Sequence, residues 1–231
     1  MTASLVQSAN GVTLLGGGDF ARADLDLALS LAPLLVAADG GADRALAAGH
    51  VPAAVIGDFD SITPAAQAAI PAERQHRVAE QDSTDFGKCL RLVSAPFLIG
   101  LGFAGLRMDH ALSVMTALAT HPHQRCVILG AEDVIFLSPP RLSLPLTPGV
   151  RLSLFPMGPA AGRSTGLRWP IDGLDFAPAG RIGTSNEATG PVTLQLDGPM
   201  LVLLPRDCLA LALGALAGQG GALAPPPARA G

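Results

Sequence analysis

The chain has 231 residues, 49% of them hydrophobic, 15% charged and 4% aromatic, with a formal net charge of −4. That length makes one large domain or two modest ones and buries a full core unaided. The basic surface that displaces counterions from nucleic acid is missing, and with no Tyr, one Trp and eight Phe so are base-stacking platforms.

In chain order, strand 12–15 leads to helix 22–31, strand 34–37, helix 42–48, strand 54–56, helices 64–70 and 84–93, strand 97–99, helix 109–119 and strand 126–129. Short, continuously apolar strands separated by helices predict βαβ units around a buried parallel sheet, an α/β layered domain over residues 1–139. From about Pro139 prolines and glycines recur every few residues, and short alternating segments at 150–155, 192–196 and 201–204 lie between them. This predicts a small all-β sandwich domain over 140–213. The Ala/Gly/Pro-rich stretch 214–231 reads as a flexible tail.

Mean hydropathy is +0.41, which raises the question of a membrane. The uncharged stretch between Asp207 and Arg229 contains four glycines and three prolines. Its apolar part is about half of the ~20 residues that span a bilayer. The first basic residue is Arg22, so a signal peptide's charged start is lacking. Cys89, Cys126 and Cys208 lie far apart without a CxxC pair, which fits neither a zinc site nor a disulfide framework and suggests a reduced, cytoplasmic setting.

Gly16-Gly17-Gly18-Asp19-Phe20-Ala21 follows the first strand and opens a helix, and Asp39 stands 18 residues beyond Ala21. This spacing satisfies the dinucleotide fingerprint, so a nicotinamide oxidoreductase is a rival reading. The same glycines also suit a plain strand-to-helix turn.

Aspartate outnumbers glutamate fifteen to four, and seven aspartates fall between residues 39 and 109. Asp39 ends one strand; Asp58 and Asp60 follow the next, in Gly57-Asp58-Phe59-Asp60-Ser61. Parallel strands end on one sheet edge, where ligands bind, and residues i and i+2 of an extended segment point the same way. Short carboxylates beside phosphate oxygens are the ligands Mg²⁺ favours. Gln81-Asp82-Ser83-Thr84-Asp85 reads as a helix start, with Asp82 as the cap. Lys88 is the only lysine against fourteen arginines, a compact cation suited to polyphosphate. A glycine-rich loop at 100–105 then leads to Arg107 and Asp109.

With Thr184-Ser185-Asn186-Glu187, these segments resemble the thiamine pyrophosphokinase family from about residue 12 to 204. The resemblance implies an α/β domain, a β-sandwich domain and a homodimer whose site lies at the subunit interface. It implies transfer of pyrophosphate from ATP to the thiamine hydroxyl, giving thiamine diphosphate and AMP. Asp58, Asp60 and Asp85 match the family's Mg²⁺-binding acids. Asp39 and Gln81 match positions near the transferred group and the substrate. Thr84, Lys88, Arg107 and Asp109 match the ATP-facing side, and Ser185 and Asn186 the motif that holds thiamine. Leu106 stands where the family has a second glycine. Ala188 and Thr189 stand where an aromatic residue commonly follows Ser-Asn, which leaves Phe155, Trp169 and Phe176 as sources of an aromatic face. A non-catalytic ligand-binding dimer is the other alternative.

Overall fold

A computed structural model describes residues 4–80, 82–105 and 107–217. The chain divides into two compact units, one of residues up to Ala117 with Ile128–Ala131, the other of Leu118–Val127 with the chain from Glu132 onward.

The chain begins with β1 (Val6–Gln7), β2 (Val12–Leu15), α1 (Arg22–Leu31), β3 (Leu34–Ala38), α2 (Gly41–Ala47), β4 (Ala54–Gly57), α3 (Pro64–Ala69) and β5 (Gln75–Arg77). It continues through α4 (Asp85–Leu92), β6 (Val93–Ser94), β7 (Leu98–Leu101), α5 (Met108–Thr120) and β8 (Cys126–Leu129). Every residue of β2, β4, β7 and β8 is buried, as a parallel sheet covered on both faces requires. β2 pairs in parallel with β7, β3 with β4, and β4 with β5. Val12 bridges to Pro33 just ahead of β3, and β8 lies beside β7. The resulting order is β8-β7-β2-β3-β4-β5, with β1 paired to β6 apart from it. The chain leaves β2 towards β3, while β7 lies on the other side of β2. The carboxyl ends of β2 and β7 are therefore a topological switch point, the place where open α/β sheets bind ligands.

The helix starts are chemically specified. Thr63 caps α3 through the Ala66 N–H, with Pro64 in the first turn, where its missing N–H costs nothing. Thr84 caps α4 through the Gly87 N–H. The cap is thus Thr84 rather than Asp82, because the hydroxyl lies three residues before a free first-turn amide.

The second unit contains β9 (Asp133–Leu137), β10 (Arg141–Leu144), β11 (Arg151–Pro156), β12 (Ala160–Leu167), β13 (Asp175–Phe176), β14 (Gly183–Asp197), β15 (Met200–Pro205) and α6 (Leu209–Ala217). Its strands pair antiparallel in the order β9-β15-β11-β14-β12-β13, and β10 also pairs with β14. β14 changes partners along its length, opposite β11 near Asn186 and opposite β12 and β10 beyond it. Buried and exposed residues alternate along β10 and the second half of β14, the mark of strands with one wet face. The unit's strands begin at Asp133, ahead of residue 140 where composition changes. Residues 214–217, read from composition as tail, are the last turn of α6; buried Leu209, Ala212, Leu213 and Leu216 form its apolar stripe. The remaining tail residues, 218–231, lie outside the described residues.

Candidate active site

At the switch point a cavity of about 970 Å³ opens, walled by the turns after β2 and β7, the ends of β3 and β4, and the start of α4. Ala38 pairs with Ile56 across β3 and β4, which sets Asp39 beside Gly57. A β-carbon on Gly57 would lie 2.7 Å from the Asp39 β-carbon. Only glycine leaves room for the carboxylate there.

Asp58 and Asp60 converge by a different route from the extended segment expected. Phe59 sits at φ 69°, and the Asp60 N–H donates to Asp58 Oδ1 at 3.3 Å. The segment is a tight left-handed turn, a conformation that costs a bulky residue of order 1–3 kcal/mol. Phe59 bears that strain because its ring packs on the cluster of Ala37, Ala42, Val55, Ile62, Ala66 and Ile70. Asp39 is also left-handed, at φ 41°. Two strained residues thus aim three carboxylates at one point: Asp39, Asp58 and Asp60 each offer an oxygen within 4.8 Å of the others. Ser61, which sequence reasoning did not single out, ties the group together. Its N–H donates to Asp39 Oδ2 at 3.0 Å and its hydroxyl to Asp60 Oδ1 at 2.7 Å.

Asp39 is 2% exposed, and its Oδ1 is buried with no hydrogen-bond partner. Burial pushes its pKa up from 3.8 to about 6; the Ser61 N–H works against that rise, while the charges of Asp85 and Asp60 add to it. A buried, unpartnered carboxylate oxygen beside two more carboxylates is a donor set that fits a hard divalent cation.

Asp85 opens α4 and lines the same cavity, but it is not one of this close triad. Its Oδ1 accepts from Lys88 Nζ at 2.9 Å, and Asp58 Oδ2 accepts from the same ammonium at 3.2 Å. Lys88 is 1% exposed. Burial opposes its charge, yet the bonds to Asp85 and Asp58 outweigh that and hold its pKa above the usual lysine value. The single lysine lines the cavity as a buried strut between two acids. Thr84 lines the cavity while its hydroxyl oxygen accepts the α4 cap bond. Asp43, within α2, accepts both the N–H and the hydroxyl of Thr63, the cap of α3. Gln81 lies outside the described residues.

The glycine turns behave unlike a dinucleotide cradle. The Gly16 N–H donates to the Leu101 carbonyl at 2.8 Å and the Gly18 N–H to the Gly102 carbonyl at 3.0 Å. β-Carbons at Gly16 or Gly18 would lie 2.6 Å from the Gly102 oxygen. These glycines let two loops touch. With the Gly16 and Gly18 amides engaged by the facing loop, the pyrophosphate contact that the oxidoreductase reading asks of them is lacking. Beyond the second loop, Arg107 grips Asp109 with two hydrogen bonds, at 3.2 and 2.7 Å. The bond from Arg107 pulls the Asp109 pKa down to about 2. Arg107 and His110 line the cavity.

Two family models match the chain: "Thiamin pyrophosphokinase, catalytic domain" over residues 25–129 and "Thiamin pyrophosphokinase, vitamin B1 binding domain" over residues 142–201. Thiamine pyrophosphokinase 1 of Oryza sativa subsp. japonica is 30% identical over 203 residues, which span 72% of this chain and 77% of that protein. The chain belongs to the thiamine pyrophosphokinase family. The fold agrees. Thiamin pyrophosphokinase from Candida albicans superimposes with a TM-score of 0.72 at 16% identity, covering 87% of this chain and 92% of that one. Yeast thiamin pyrophosphokinase gives 0.72 at 20% identity, covering 87% and 88%.

Within the segment that matches the vitamin B1 binding domain, Asn186 is buried on β14. Its Oδ1 accepts from the N–H groups of Trp169 and Glu187, and its Nδ2 donates to the Trp169 carbonyl at 2.7 Å. Asn186 thereby clamps the backbone of the single tryptophan, whose side chain stays outside: Trp169 is 54% exposed, with the Arg168 guanidinium 5.0 Å from its ring centre. Ser185 is exposed at φ 60°, and its N–H donates to Ser153 Oγ. Ala188 is wholly buried, so an aromatic side chain does not fit there. Phe176 is buried as well. Of the three aromatic residues offered in place of the one missing after Asn186, Trp169 is the exposed one.

Proposed function

We propose that the chain transfers the pyrophosphoryl group of ATP to the hydroxyl of thiamine, giving thiamine diphosphate and AMP. The observation that carries this reading is the convergence of Asp39, Asp58 and Asp60 at the switch-point cavity, with the orphaned Asp39 oxygen among them. Those three side chains would hold Mg²⁺, with Asp85 as the further acid on the cavity wall. When bound, the ion supplies charge neutralisation at phosphate oxygens.

The protein's own part is placement. Phosphoryl-type transfer asks for alignment and a preorganised field rather than covalent work. Lys88 keeps Asp58 and Asp85 in fixed rotamers, so the field is set before the substrate arrives. Arg107, which lines the cavity, brings positive charge to the nucleotide side with Asp109 as its partner. Asp39 Oδ1 is an acceptor for the thiamine hydroxyl proton where it is not engaged by the cation. On the second unit, Trp169 is read as the aromatic face for the thiamine ring, a permanent cation that stacks favourably on indole; Asn186 positions it, and Ser185 lies next in sequence. The family resemblance adds a homodimer with thiamine at the subunit interface. A cytoplasmic location fits three cysteines that form no disulfide. No helix among the described residues is long and apolar enough to cross a membrane.

Phosphorus NMR of the protein with ATP, Mg²⁺ and thiamine tests the reaction. AMP and thiamine diphosphate are expected in equal amounts; ADP with thiamine monophosphate would identify an ordinary kinase and overturn the proposal.

A further inference from the structure

Arg44 has no part in the foregoing chemistry, yet it lines the same cavity. Its placement follows from the glycine that opens α2. Gly41 lies so close to β2 that a β-carbon there would sit 2.0 Å from the Leu15 oxygen. That contact presses the start of α2 against the end of β2. Arg44, three residues on, shares the helix face of Gly41 and is delivered to the turn after β2. There its Nε donates to the Gly17 carbonyl at 3.1 Å, and its terminal nitrogen pairs with Asp19.

Charge bookkeeping makes this cation informative. Among the described residues, the cavity wall carries Asp19, Asp39, Asp58, Asp60, Asp82 and Asp85 against Arg44, Lys88 and Arg107. Lys88 is buried between Asp58 and Asp85, so its ammonium is committed inside the wall. The Gly16 and Gly18 amides that could cradle a phosphate are bonded to the opposite loop. Among the described residues, the cationic side chain on the β2 side of the cavity is the Arg44 guanidinium. Its pairing with Asp19 is lightly held: the Arg44 and Asp19 side chains are 44% and 71% exposed, and water-screened pairs of this kind exchange partners at little cost.

We propose that Arg44 binds the phosphate tail of the nucleotide, anchored through Nε at Gly17 while its terminal nitrogens pass from Asp19 to phosphate oxygens. This rests on the cavity being the ATP site. Asp19 then acts as a competitor that occupies the guanidinium until the nucleotide arrives.

Two substitutions of opposite expected effect test it. Calorimetric titration with ADP, in the presence of Mg²⁺ and without turnover, reads binding directly. Arg44→Gln is expected to weaken ADP binding and raise the KM for ATP roughly tenfold or more, the scale of a lost charge-assisted hydrogen bond. The KM for thiamine stays as in the unaltered chain. Asp19→Asn, which removes the competitor and leaves the loop contact at Gly17, is expected to tighten ADP binding by about twofold to fivefold. Unchanged ADP affinity in Arg44→Gln, or equal loss of ATP and thiamine KM, would make Arg44 a loop strut and overturn the proposal. If Arg44→Gln does not fold, Asp19→Asn decides: affinity equal to or below that of the unaltered chain overturns it. Absence of AMP from the unaltered chain would sink the reaction proposed above, whereas the ADP titrations still judge Arg44.

Discussion

At the scale of the residue, Asp39 concentrates the unusual physics of the site. It is left-handed, buried, half-satisfied and raised in pKa to about 6. A carboxyl group that binds its proton more tightly when folded than when unfolded stabilises the protein at low pH. Between the unfolded value near 3.8 and about 6 the folded chain carries the extra proton, and stability falls as pH rises through that window. Above pH 6 the whole cost is present, up to about 3 kcal/mol at 1.36 kcal/mol per pKa unit. In metal-free protein, Asp39→Asn is therefore expected to gain stability over the unaltered chain at pH 7.5 and not at pH 4.5. The amide oxygen of Asn still accepts from the Ser61 N–H. Urea unfolding with chelator at the two pH values checks this; parallel profiles for the two proteins would remove Asp39 as the titrating group. The acids at strand ends were legible in sequence because each follows an apolar strand. The open oxygen on Asp39 was not, because it depends on Ser61 taking one side of the carboxylate, a contact across 22 residues.

At the scale of the element, the site is built where turns meet strands without clearance. The parallel core could be read because its strands are apolar throughout and its helices start at Thr63 and near Thr84. The route by which Asp58 and Asp60 converge could not, since it rests on Phe59 entering a left-handed turn that only the apolar cluster beneath it stabilises. Likewise Gly16 and Gly18 fit a nucleotide fingerprint while serving contact between two loops, a distinction that lies in the partner loop rather than in their own spacing. Gly57 is the sharpest test of this tight construction. Its added β-carbon would meet Asp39 Cβ at 2.7 Å and Asp39 Cα at 3.1 Å, so Gly57→Ala forces Asp39 aside or spreads β3 from β4. Overpacking of this kind costs about 1–3 kcal/mol, a loss the rest of the sheet should survive. The expected outcome is a folded protein with kcat down by at least ~10²-fold, the scale for displacing one preorganised electrostatic group. Circular dichroism checks the fold and a coupled AMP assay the rate. Near-normal turnover in a folded Gly57→Ala protein would show that the position of Asp39 does not matter to the chemistry.

At the scale of the whole molecule, the second unit leaves apolar groups outside: Trp169 and Ile182, on either side of β13 in sequence, are 54% and 43% exposed. The backbone of Trp169 is clamped by Asn186, so its exposure is imposed by design of the strand pairing and not by a loose loop. A rigid exposed tryptophan costs solubility unless a ligand or a subunit covers it. The proposed homodimer with thiamine at the interface accounts for both, and it makes activity depend on protein concentration. A C2 interface is lost on dilution below its dissociation constant, and a site completed by the partner is lost with it. Specific activity at saturating ATP and thiamine is therefore expected to fall as the protein is diluted through the concentration at which sedimentation shows dimer giving way to monomer. High thiamine should move that midpoint to lower protein concentration, because a ligand bound only by the dimer favours it. Trp169→Ala should raise the KM for thiamine and abolish the ligand's effect on the midpoint while leaving ADP affinity in place. A monomer by sedimentation with constant specific activity would confine the thiamine site to one chain and leave the exposed indole to the substrate alone.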